Sequence, residues 1–402
     1  MVEYASVGQR IKRVDGSRKI TGQERFTADL KVPGMLYARP VGSHYAHARI
    51  RGVDASRALA IPGVVAVLTA DDLPVKRGPN GAPPRLPVAW GEALHVGQIV
   101  ALVLAESDAA AQDGAAVVEI DDEPLPVVPS PDAAMAHDAP RVRMTALALS
   151  DEAAHNVDAT RTGAADDESL SPNVVDSVHL HQGDVARGFA EADEVVELTF
   201  GSRSVHQGYL EPQVCLATVE PTGDLTIYLS TQASFYSRTR VAEALGWPVG
   251  RINVVPMPVG GGFGGKYVLI EPLVAAAAVA VGRPVLMHYT RMDEFLIGNP
   301  APGCRIELAL GARRDGTLTA LRARLTFDAG SAGRSPLHGA GYSLGCNYRI
   351  PHLDVRGVEV LTHKPGPGAF RAPGGQQAAF AIESAIDELA RRLAIDPIAF
   401  RL

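Results

Sequence analysis

Residues 260–266 read GGGFGGK, and they follow directly on the apolar run RINVVPMPV at 251–259. Five glycines around one phenylalanine leave few side chains on this loop. Its backbone N–H groups can therefore approach a bulky or anionic ligand, and positive φ angles come without steric cost. The next stretch, YVLIEPLVAAAAVAVGRP at 267–284, predicts a helix with Pro272 near its start. Because a helix N-terminus offers unpaired donors and a partial positive charge, the pattern indicates a ligand-binding loop between a strand and a helix.

The residues alone leave three interpretations of this loop open. Residues 260–265 fit the dinucleotide fingerprint G-x-G-x-x-G, but the acid expected about 20 residues later has only the poorly placed Asp293 and Glu294 as candidates. Residues 260–266 fit a P-loop except at its last position, where Tyr267 replaces the Ser or Thr that holds Mg²⁺. The third interpretation is a glycine turn that packs a helix on a strand. An NAD-dependent dehydrogenase stays among the candidate functions, whereas a P-loop enzyme is disfavoured.

The composition predicts a globular protein of two or three domains. The chain has 402 residues, of which 46% are hydrophobic and 21% charged, so a sizeable core can form. Its net charge of −7 argues against nucleic acid as a partner, because no basic surplus displaces counterions. No run of about 18 apolar residues occurs and no apolar signal segment opens the chain, so we expect no membrane span.

Cysteine and histidine usage indicates the compartment and limits the metal sites. The chain has only three cysteines, none in a C-x-x-C pair, which are Cys215, Cys304 and Cys346. We therefore expect neither an iron–sulfur cluster nor a structural zinc ion held by this chain alone, and we expect a cytoplasmic protein. Four histidines are candidate metal ligands, but their spacing in the sequence matches no metal-binding motif, and none is assigned as a ligand. They are His47, His179, His181 and His206.

Hydrophobic patterning divides the chain into two ordered parts and a connection. Residues 1–130 alternate strands and helices, with buried strands expected at 63–73 and 97–107, and predict a small α/β or α+β domain. Residues 131–178 are rich in Ala, Asp, Ser and Pro without a steady period and predict a linker. Order returns in residues 179–402. The elements expected there are a helix and a strand at 183–200, a strand at 224–231, a helix at 234–248, a hairpin at 305–330 and a closing amphipathic helix that Pro397 interrupts.

A second glycine-rich loop, GPGAFRAPGG, lies at 366–375 and precedes the closing helix. Alone it is compatible with a capped turn. With the first loop and further motifs in a fixed order, it resembles the molybdenum-binding large subunit of the xanthine dehydrogenase and aldehyde oxidase family, the molybdenum hydroxylases. The other motifs that carry the resemblance are VGQRIKRVDGSRKITGQERFTADLKVPGMLYARPVGSHYAHARI (7–50), VGQIVALVLAESDAAAQDGAAVVEIDDEPLPVV (96–128), SVHQGYLEP (204–212), STQASFYSR (230–238) and ESAIDELARRLAIDPIAFRL (383–402).

The resemblance implies a hammerhead-like α/β domain at 1–130, followed after the linker by the first of two molybdopterin-binding domains at 179–402. Family members usually carry this architecture on a chain nearly twice as long, and their catalytic glutamate, a general base, lies in the other half. No candidate for that base stands in this sequence, so the catalytic residue is expected on a partner chain. The chain is interpreted as the N-proximal part of a split subunit, with a truncated chain as the alternative.

The resemblance also implies cofactors, partners and a reaction. The cofactor is a molybdopterin, in the cytosine dinucleotide form of bacterial members, and its dithiolene rather than a side chain of this protein holds the molybdenum. The expected partners are a second molybdopterin subunit, an iron–sulfur subunit with 2Fe–2S clusters and an FAD subunit, arranged as a dimer of heteromers. The implied reaction oxidises a carbon centre of a heteroaromatic or aldehyde substrate with water-derived oxygen.

Positions that match the family motifs carry expected roles in cofactor binding. Gln232, in the STQA motif, is expected to donate to an oxo ligand of molybdenum. Arg371 is expected to bring its fixed charge to the pterin or to an oxo group. The remaining cofactor-binding residues expected from the two loops are Gly261, Gly262, Phe263, Gly264, Ala369 and Phe370.

Departures from the family bear on the substrate. Purine-oxidising members carry a glutamate where this chain has Tyr267, and an arginine where it has Gly339, so purines are disfavoured. Carbon monoxide oxidation is disfavoured because Ala372 stands where that branch has a cysteine. The residues expected to line a pocket for another heteroaromatic or an aldehyde are Tyr267, His338, Tyr342 and Pro373.

Two alternatives to an active subunit stay open at this stage. A degenerate binding or assembly module would keep the motifs without the chemistry, and an NAD-dependent dehydrogenase would use the glycine fingerprint. Glu211, in the LEP segment, lies near the family motifs, and we interpret it as a structural acid because the family's base comes from the other half.

Overall fold

The computed structural model describes residues 4–78, 86–144 and 171–402. Within them the chain forms three β-sheets of seven, five and three strands, and helices pack on the two larger sheets. The strands are β1 (Leu36–Gly42), β2 (Ala48–Asp54), β3 (Val64–Thr69), β4 (Glu92–Ala93), β5 (Ile99–Ala105), β6 (Glu119–Pro124), β7 (Val174–Gln182), β8 (Glu194–Ser202), β9 (Val214–Val219), β10 (Leu225–Leu229), β11 (Ile252–Pro256), β12 (Val285–His288), β13 (Cys304–Ala312), β14 (Leu318–Asp328) and β15 (His352–Val360). The helices are α1 (Gly16–Ile20), α2 (Ser56–Leu59), α3 (Asp108–Val117), α4 (Pro131–Met135), α5 (Val185–Ala190), α6 (Ser234–Leu245), α7 (Glu271–Val281), α8 (Arg291–Ile297), α9 (Leu337–Gly345), α10 (Gly375–Leu393) and α11 (Pro397–Arg401).

The seven-stranded sheet combines strands from both ordered parts of the sequence. Its order is β11-β10-β9-β12-β1-β5-β3. Strand β1 pairs in parallel with β12, with Leu36 opposite Val285, and antiparallel with β5. Every residue of β5 is buried, as expected for an apolar strand with neighbours on both sides. The partition expected at residue 130 therefore does not separate two independent sheets.

The five-stranded sheet, in the order β7-β15-β14-β13-β8, lies entirely in the later part of the chain. Strands β13 and β14 form the hairpin expected at 305–330, and Gly316 adopts a φ of +90° at its turn. Helices α9 and α10 pack against this sheet. The closing helix ends at Leu393, and Pro397 begins α11, where the missing N–H of proline costs no hydrogen bond.

The predicted linker at 131–178 is only partly confirmed. It contains the short helix α4, and β7 already begins at Val174. Residues 145–170 lie outside the described part of the chain. The segments before and after these residues are joined by the Asn173 side chain. It accepts a hydrogen bond from the N–H of Val142 at 2.9 Å and donates one to the carbonyl of Pro140 at 3.0 Å.

The helix after the first glycine loop begins later than the pattern indicates. Residues 267–270 separate the loop from α7, which begins at Glu271 and carries Pro272 in its first turn. A proline there lacks only an N–H that has no partner within the helix. The helix ends where Gly282 turns left-handed, with a φ of +62°. The loop therefore does not sit directly on a helix N-terminus.

The three-stranded sheet, β4-β2-β6, lies in the earlier part of the chain. Among the helices of the described residues, none has the length and apolar character to cross a membrane.

Candidate functional site

The first glycine loop at 260–266 needs its glycines for both conformation and space. Gly261 and Gly264 have φ angles of +99° and +108°, a region that side chains rarely adopt. A Cβ on Gly262 would lie 2.5 Å from Oε1 of Gln232, and a Cβ on Gly264 would overlap the carbonyl oxygen of Ala369. The loop thus brings bare backbone against two other segments of the chain.

Gln232 connects the end of β10 to this loop. Its N–H donates to the carbonyl of Lys266 at 2.8 Å, and its Oε1 accepts from the N–H of Gly264 at 2.9 Å and of Lys266 at 3.4 Å. Because both partners of Oε1 are donors, the orientation of the amide is fixed. Gln232 is exposed, and within the described residues its Nε2 donates to no protein acceptor. The side chain therefore presents an NH₂ group above the loop.

These bonds refine the expectation that the amides of the first loop face a ligand. The N–H of Gly264 is used by Gln232, and the N–H of Gly265 donates to the carbonyl of Gly262 at 2.8 Å. Gly264 consequently supports the glutamine. Phe263 is about half exposed and has a positive φ of +52°, which is strained for a residue with a side chain.

The second glycine loop at 366–375 contacts the first. The N–H of Arg371 donates to the carbonyl of Phe263 at 2.9 Å, and the carbonyl of Ala369 accepts from Nε2 of Gln207 at 2.8 Å. The same Gln207 nitrogen donates to the carbonyl of Asn299 at 2.8 Å. Arg371 itself is exposed, so its charge remains on the surface of the joined loops. The two motifs, about 100 residues apart in sequence, form one surface.

A buried ion pair lies beneath the first loop. The Lys266 side chain is fully buried, and its Nζ lies 2.5 Å from Oε2 of Glu211 and 3.0 Å from Oγ of Ser230. Glu211 Oε2 also accepts from Ser230 at 2.6 Å and from the N–H of Gly260 at 2.7 Å. Burial lowers the pKa of the Lys266 ammonium, and the hydrogen bond to Glu211 opposes that shift. These contacts agree with a structural role for Glu211.

A second buried carboxylate, Glu294 on α8, supports the same region. It accepts from the Tyr209 hydroxyl at 2.5 Å, from the His206 ring at 3.2 Å and from the backbone N–H of Gln213. Gln213 in turn donates to the carbonyl of Gly265 at 2.7 Å. Burial, followed by the charge of Glu294, raises the pKa of Tyr209 far above its ordinary value. The tyrosine is therefore a neutral hydrogen-bond donor.

Sequence reasoning misses the partners of these two acids. In the sequence, Lys266 is noticeable only as part of a P-loop pattern. A lysine after a run of glycines does not by itself predict a buried ion pair, because the pattern does not say which acid would be its partner. Glu211 lies 55 positions away from it. Glu294 enters the sequence argument only as a poorly placed ribose-binding acid, whereas its position on α8 turns it towards Tyr209.

Of the expected substrate-pocket residues, Tyr267 directly follows the first loop. Its ring contacts Tyr236 of α6, with centroids 4.9 Å apart. The tyrosine is therefore placed between the first loop and α6.

The other expected pocket residues lie where the second loop meets α9. His338 and Tyr342 are on α9, and His338 Nε2 lies 3.0 Å from Oδ2 of Asp176 on β7. Tyr342 is 40% exposed. The carbonyl of Pro373 lies 3.0 Å from the Cβ position of Gly339. A pocket shared by these residues and Tyr267 stays a prediction.

The geometry defines a class of site: two glycine loops that meet as a nearly bare backbone wall, with one amide and one guanidinium exposed on it. Comparison with known proteins identifies the family. Residues 167–402 match the model of the molybdopterin cofactor-binding domain, and residues 21–126 match that of the a/b hammerhead domain of aldehyde oxidase and xanthine dehydrogenase. The chain belongs to the molybdenum hydroxylase family, in the part of the large subunit that binds molybdopterin.

Individual relatives support this assignment along the whole chain. A probable xanthine dehydrogenase subunit of Bacillus subtilis is 31% identical over 97% of this chain and 49% of its own length. The nicotinate dehydrogenase large molybdopterin subunit of Eubacterium barkeri is 29% identical over 100% of this chain and 89% of its own. The solved quinoline 2-oxidoreductase of Pseudomonas putida 86 superposes with a TM-score of 0.84 at 30% identity, covering 99% of this chain and 50% of the other. The chain thus spans about half the length of the first and third of these relatives.

Proposed function

We propose that this chain is the molybdopterin-binding subunit of a multi-subunit molybdenum hydroxylase. The complex oxidises a carbon centre of a heteroaromatic or aldehyde substrate with oxygen derived from water. The observation that carries the proposal is the junction of the two glycine loops, with Gln232 fixed above it by the N–H groups of Gly264 and Lys266. When bound, the cofactor supplies two-electron redox chemistry and Lewis acidity at its metal.

The residues of the site fit a molybdopterin group. The Cβ positions of Gly262 and Gly264 are already filled by neighbouring atoms, so a flat backbone surface is maintained for a bulky ligand. Gln232 offers a neutral NH₂ donor to an oxo group without altering the charge of the site. Arg371 offers a permanent positive charge that suits a phosphate or another anionic group. Phe263, about half exposed beside them, provides an apolar contact.

The remaining cofactors and the partners are proposed from the resemblance to the molybdenum hydroxylases. We assign the cytosine dinucleotide form of the cofactor, with 2Fe–2S clusters and FAD on partner subunits. The chain has three cysteines, none of them in a C-x-x-C pair, so we place the clusters on a partner, and thiols that form no disulfide suit a reducing cytoplasm. The Eubacterium barkeri protein, 89% of whose length this chain covers, supports a split of the large subunit between two polypeptides. The general base, a glutamate, is then supplied by the second molybdopterin subunit in a dimer of heteromers.

The substrate is proposed to be a nitrogen heteroaromatic or an aldehyde. Tyr267 replaces the glutamate of purine-oxidising members, and Gly339 replaces their arginine. The names of two relatives, a nicotinate dehydrogenase and a quinoline 2-oxidoreductase, support a nitrogen heteroaromatic. The residues proposed to line the pocket are Tyr267, His338, Tyr342 and Pro373.

The proposal is tested on the complex purified with its co-expressed neighbouring subunits. We expect stoichiometric molybdenum, a cytosine nucleotide on acid hydrolysis, and dye reduction with nicotinate, quinoline or an aldehyde that exceeds dye reduction with xanthine. Replacing the donor in Gln232→Ala lowers kcat/KM by about 100-fold, the usual cost of losing a preorganised donor. The control, Gln182→Ala, alters an exposed glutamine of β7 and leaves activity unchanged.

The same assay separates the alternatives. A complex without molybdenum would identify an assembly module, and bound nicotinamide would identify a dehydrogenase. Xanthine turnover that matches other substrates, or a Tyr267→Ala variant with an unchanged substrate profile, would contradict the proposed pocket.

A further inference from the structure

Two histidines and an aspartate meet on the outer face of the five-stranded sheet, away from the glycine loops in sequence. His179 and His181 stand two residues apart on the edge strand β7, so both side chains project from the same face. Strand β15 pairs antiparallel with β7 and places Asp354 directly opposite His181. Nε2 of His179 lies 2.7 Å from Oδ1 of Asp354, and Nδ1 of His181 lies 3.9 Å from the same oxygen.

The burial of this cluster differs from that of an ordinary surface ion pair. The Asp354 side chain is only 16% exposed, whereas the imidazoles of His179 and His181 are 47% and 55% exposed. The carboxylate is therefore fixed by the sheet, and the rings stand over it with their free edges towards solvent. One ligand atom from each of the three residues lies within 4.8 Å of the other two.

We propose that His179, His181 and Asp354 form a binding site for a divalent transition-metal ion of the zinc type. Two imidazole nitrogens and one carboxylate oxygen form a donor set that Zn²⁺ accepts at about 2.0–2.2 Å, with a water molecule in a fourth, tetrahedral position. At those lengths neighbouring donors stand roughly 3.3–3.6 Å apart, so the His179–Asp354 contact opens and the His181–Asp354 contact closes, each by less than about 1 Å. The exposed rings can make these adjustments by rotation about their side-chain bonds.

Arg356 is the group that competes with the ion. Its Nε donates to Oδ1 of Asp354 at 3.2 Å, and its side chain is 52% exposed. A bound cation takes over this oxygen and repels the guanidinium, which can turn into solvent. The arginine therefore weakens metal binding without preventing it. Replacing Arg356 should increase the metal affinity, whereas replacing a ligand should decrease it.

The site revises the expectation that this chain alone holds no zinc. The two-residue histidine spacing carries little information by itself, because Asp354 lies 175 positions from His179. Only the register of β7 against β15 brings the third ligand to the pair. The inference is independent of the molybdopterin proposal, since none of its three residues makes a hydrogen bond to either glycine loop within the described part of the chain.

Zinc binding to the full chain, with any subunits that copurify, is measured by competition with a chromophoric chelator. We expect one zinc ion that is bound by the wild type and by His44→Ala, a control at another exposed histidine. The His181→Ala and Asp354→Asn variants should bind this ion at least about tenfold more weakly. Zinc should also raise the melting temperature of the wild type and leave that of both variants unchanged.

The Arg356→Ala variant completes the experiment. It should bind zinc several-fold more tightly than the wild type, because a competing cation is gone. Equal zinc affinity in the wild type, His181→Ala and Asp354→Asn would overturn the proposal, as would weaker binding in Arg356→Ala. Circular dichroism of each variant excludes misfolding as the cause of a loss.

Discussion

Each glycine loop of this protein has a lysine–carboxylate pair at one end, and the two pairs stand in different surroundings. Lys266 closes the first loop and pairs with Glu211, with side chains 0% and 11% exposed. Lys364 precedes the second loop and pairs with Asp328, with side chains 41% and 8% exposed. Both N–O distances are 2.5 Å. The N–O distance therefore does not distinguish the two pairs. They differ in the exposure of the lysine to water, which reaches Lys364 but not Lys266.

The difference shows how each loop is held. The first is supported from below by side chains: Glu211 binds the N–H of Gly260, and Gln213 binds the carbonyl of Gly265. The second is held by backbone bonds as well, from the N–H of Arg371 to Phe263 and from the N–H of Gly368 to Pro300, and its carbonyls at Ala369 and Phe370 accept from two glutamine side chains, Gln207 and Gln376. The second loop thus takes its position from its neighbours, and damage to the first loop should displace both.

The largest effect is expected from Lys266→Met. The substitution leaves the Glu211 carboxylate beneath the loop without its cation, and breaking a buried pair in this way costs about 3–5 kcal/mol of unfolding free energy. The matched variant Lys364→Met should cost less, about 1–3 kcal/mol, because water can reach the site of its partly exposed ammonium and the Asp328 carboxylate keeps its bonds from the N–H of Gly330 and the hydroxyl of Thr362. Urea unfolding of both variants measures the contrast.

A double variant, Lys266→Met with Glu211→Leu, sharpens this contrast. Removing both charges should recover part of the lost stability, since no uncompensated charge remains buried, whereas the N–H of Gly260 and the hydroxyl of Ser230 lose Glu211 as their acceptor. If the single variant were as stable as the wild type, the ion pair could not be the support of the first loop.

A pH effect of intermediate size is expected at the anchor of the second loop. His363, next to Lys364, accepts the N–H of Val128 on Nδ1 at 2.8 Å, and its Nε2 lies 3.0 Å from the carbonyl of Val142. The ring is neutral in this arrangement, and burial followed by the charge of His47 lowers the pKa of His363 from 6.5 to about 4. Because the folded pKa lies below the unfolded one, the contribution is present above pH 6.5 and is lost as the pH falls towards 4.

The loss amounts to at most about 3 kcal/mol, from the free energy of one pKa unit. Unfolding free energies measured across this pH range should fall less steeply for His363→Gln than for the wild type. Parallel curves would show that the histidine does not titrate with folding.

The smallest effect, and one of opposite sign, is expected at Ala372 in the second loop. Its φ is +59°, a left-handed conformation that costs a residue with a Cβ about 1 kcal/mol. Ala372→Gly should therefore raise the unfolding free energy by about 0.5 kcal/mol, part of the strain being offset by the flexibility of glycine. In the first loop, Phe263→Gly at a φ of +52° relieves similar strain but removes the exposed ring. Thermal unfolding combined with molybdenum content distinguishes the Ala372→Gly and Phe263→Gly variants. If Ala372→Gly were less stable than the wild type, strain at this position would be contradicted.

The sequence predicts individual elements of this fold well and their arrangement poorly. The strands expected at 63–73 and 97–107 and the hairpin at 305–330 are found as β3, β5 and β13–β14, because apolar periodicity and turn residues are local signals. Strand β5 is buried throughout as expected, whereas the expectation of a buried strand is wrong for β3, which lies at the edge of the sheet and has no fully buried residue. The parallel pairing of β1 with β12 is not local: it joins Leu36 to Val285 and crosses the expected domain boundary. Nothing in the residue pattern of either strand predicts that it pairs with the other strand.

The candidate site divides in the same way. The two loops are visible as glycine motifs, and their relation follows only from resemblance to the molybdenum hydroxylases. The structure adds what holds them together, namely the N–H of Gly264 on Gln232 and the buried Lys266 beneath. Lys266 could not be paired with Glu211 from the sequence, because long-range side-chain contacts depend on the completed sheet.

The central claim is that the junction of the two loops holds the molybdopterin, and Gly264→Ala tests it most directly. A Cβ there would overlap the carbonyl of Ala369 and separate the loops. The control, Gly316→Ala, introduces similar strain at a φ of +90° in the β13–β14 turn, where its Cβ would lie near Ile395. Molybdenum and cytosine nucleotide per chain, measured on folded complexes, should approach one in the wild type and in the control and fall close to zero in Gly264→Ala. Full molybdenum content in folded Gly264→Ala, or its equal loss in Gly316→Ala, would contradict the account.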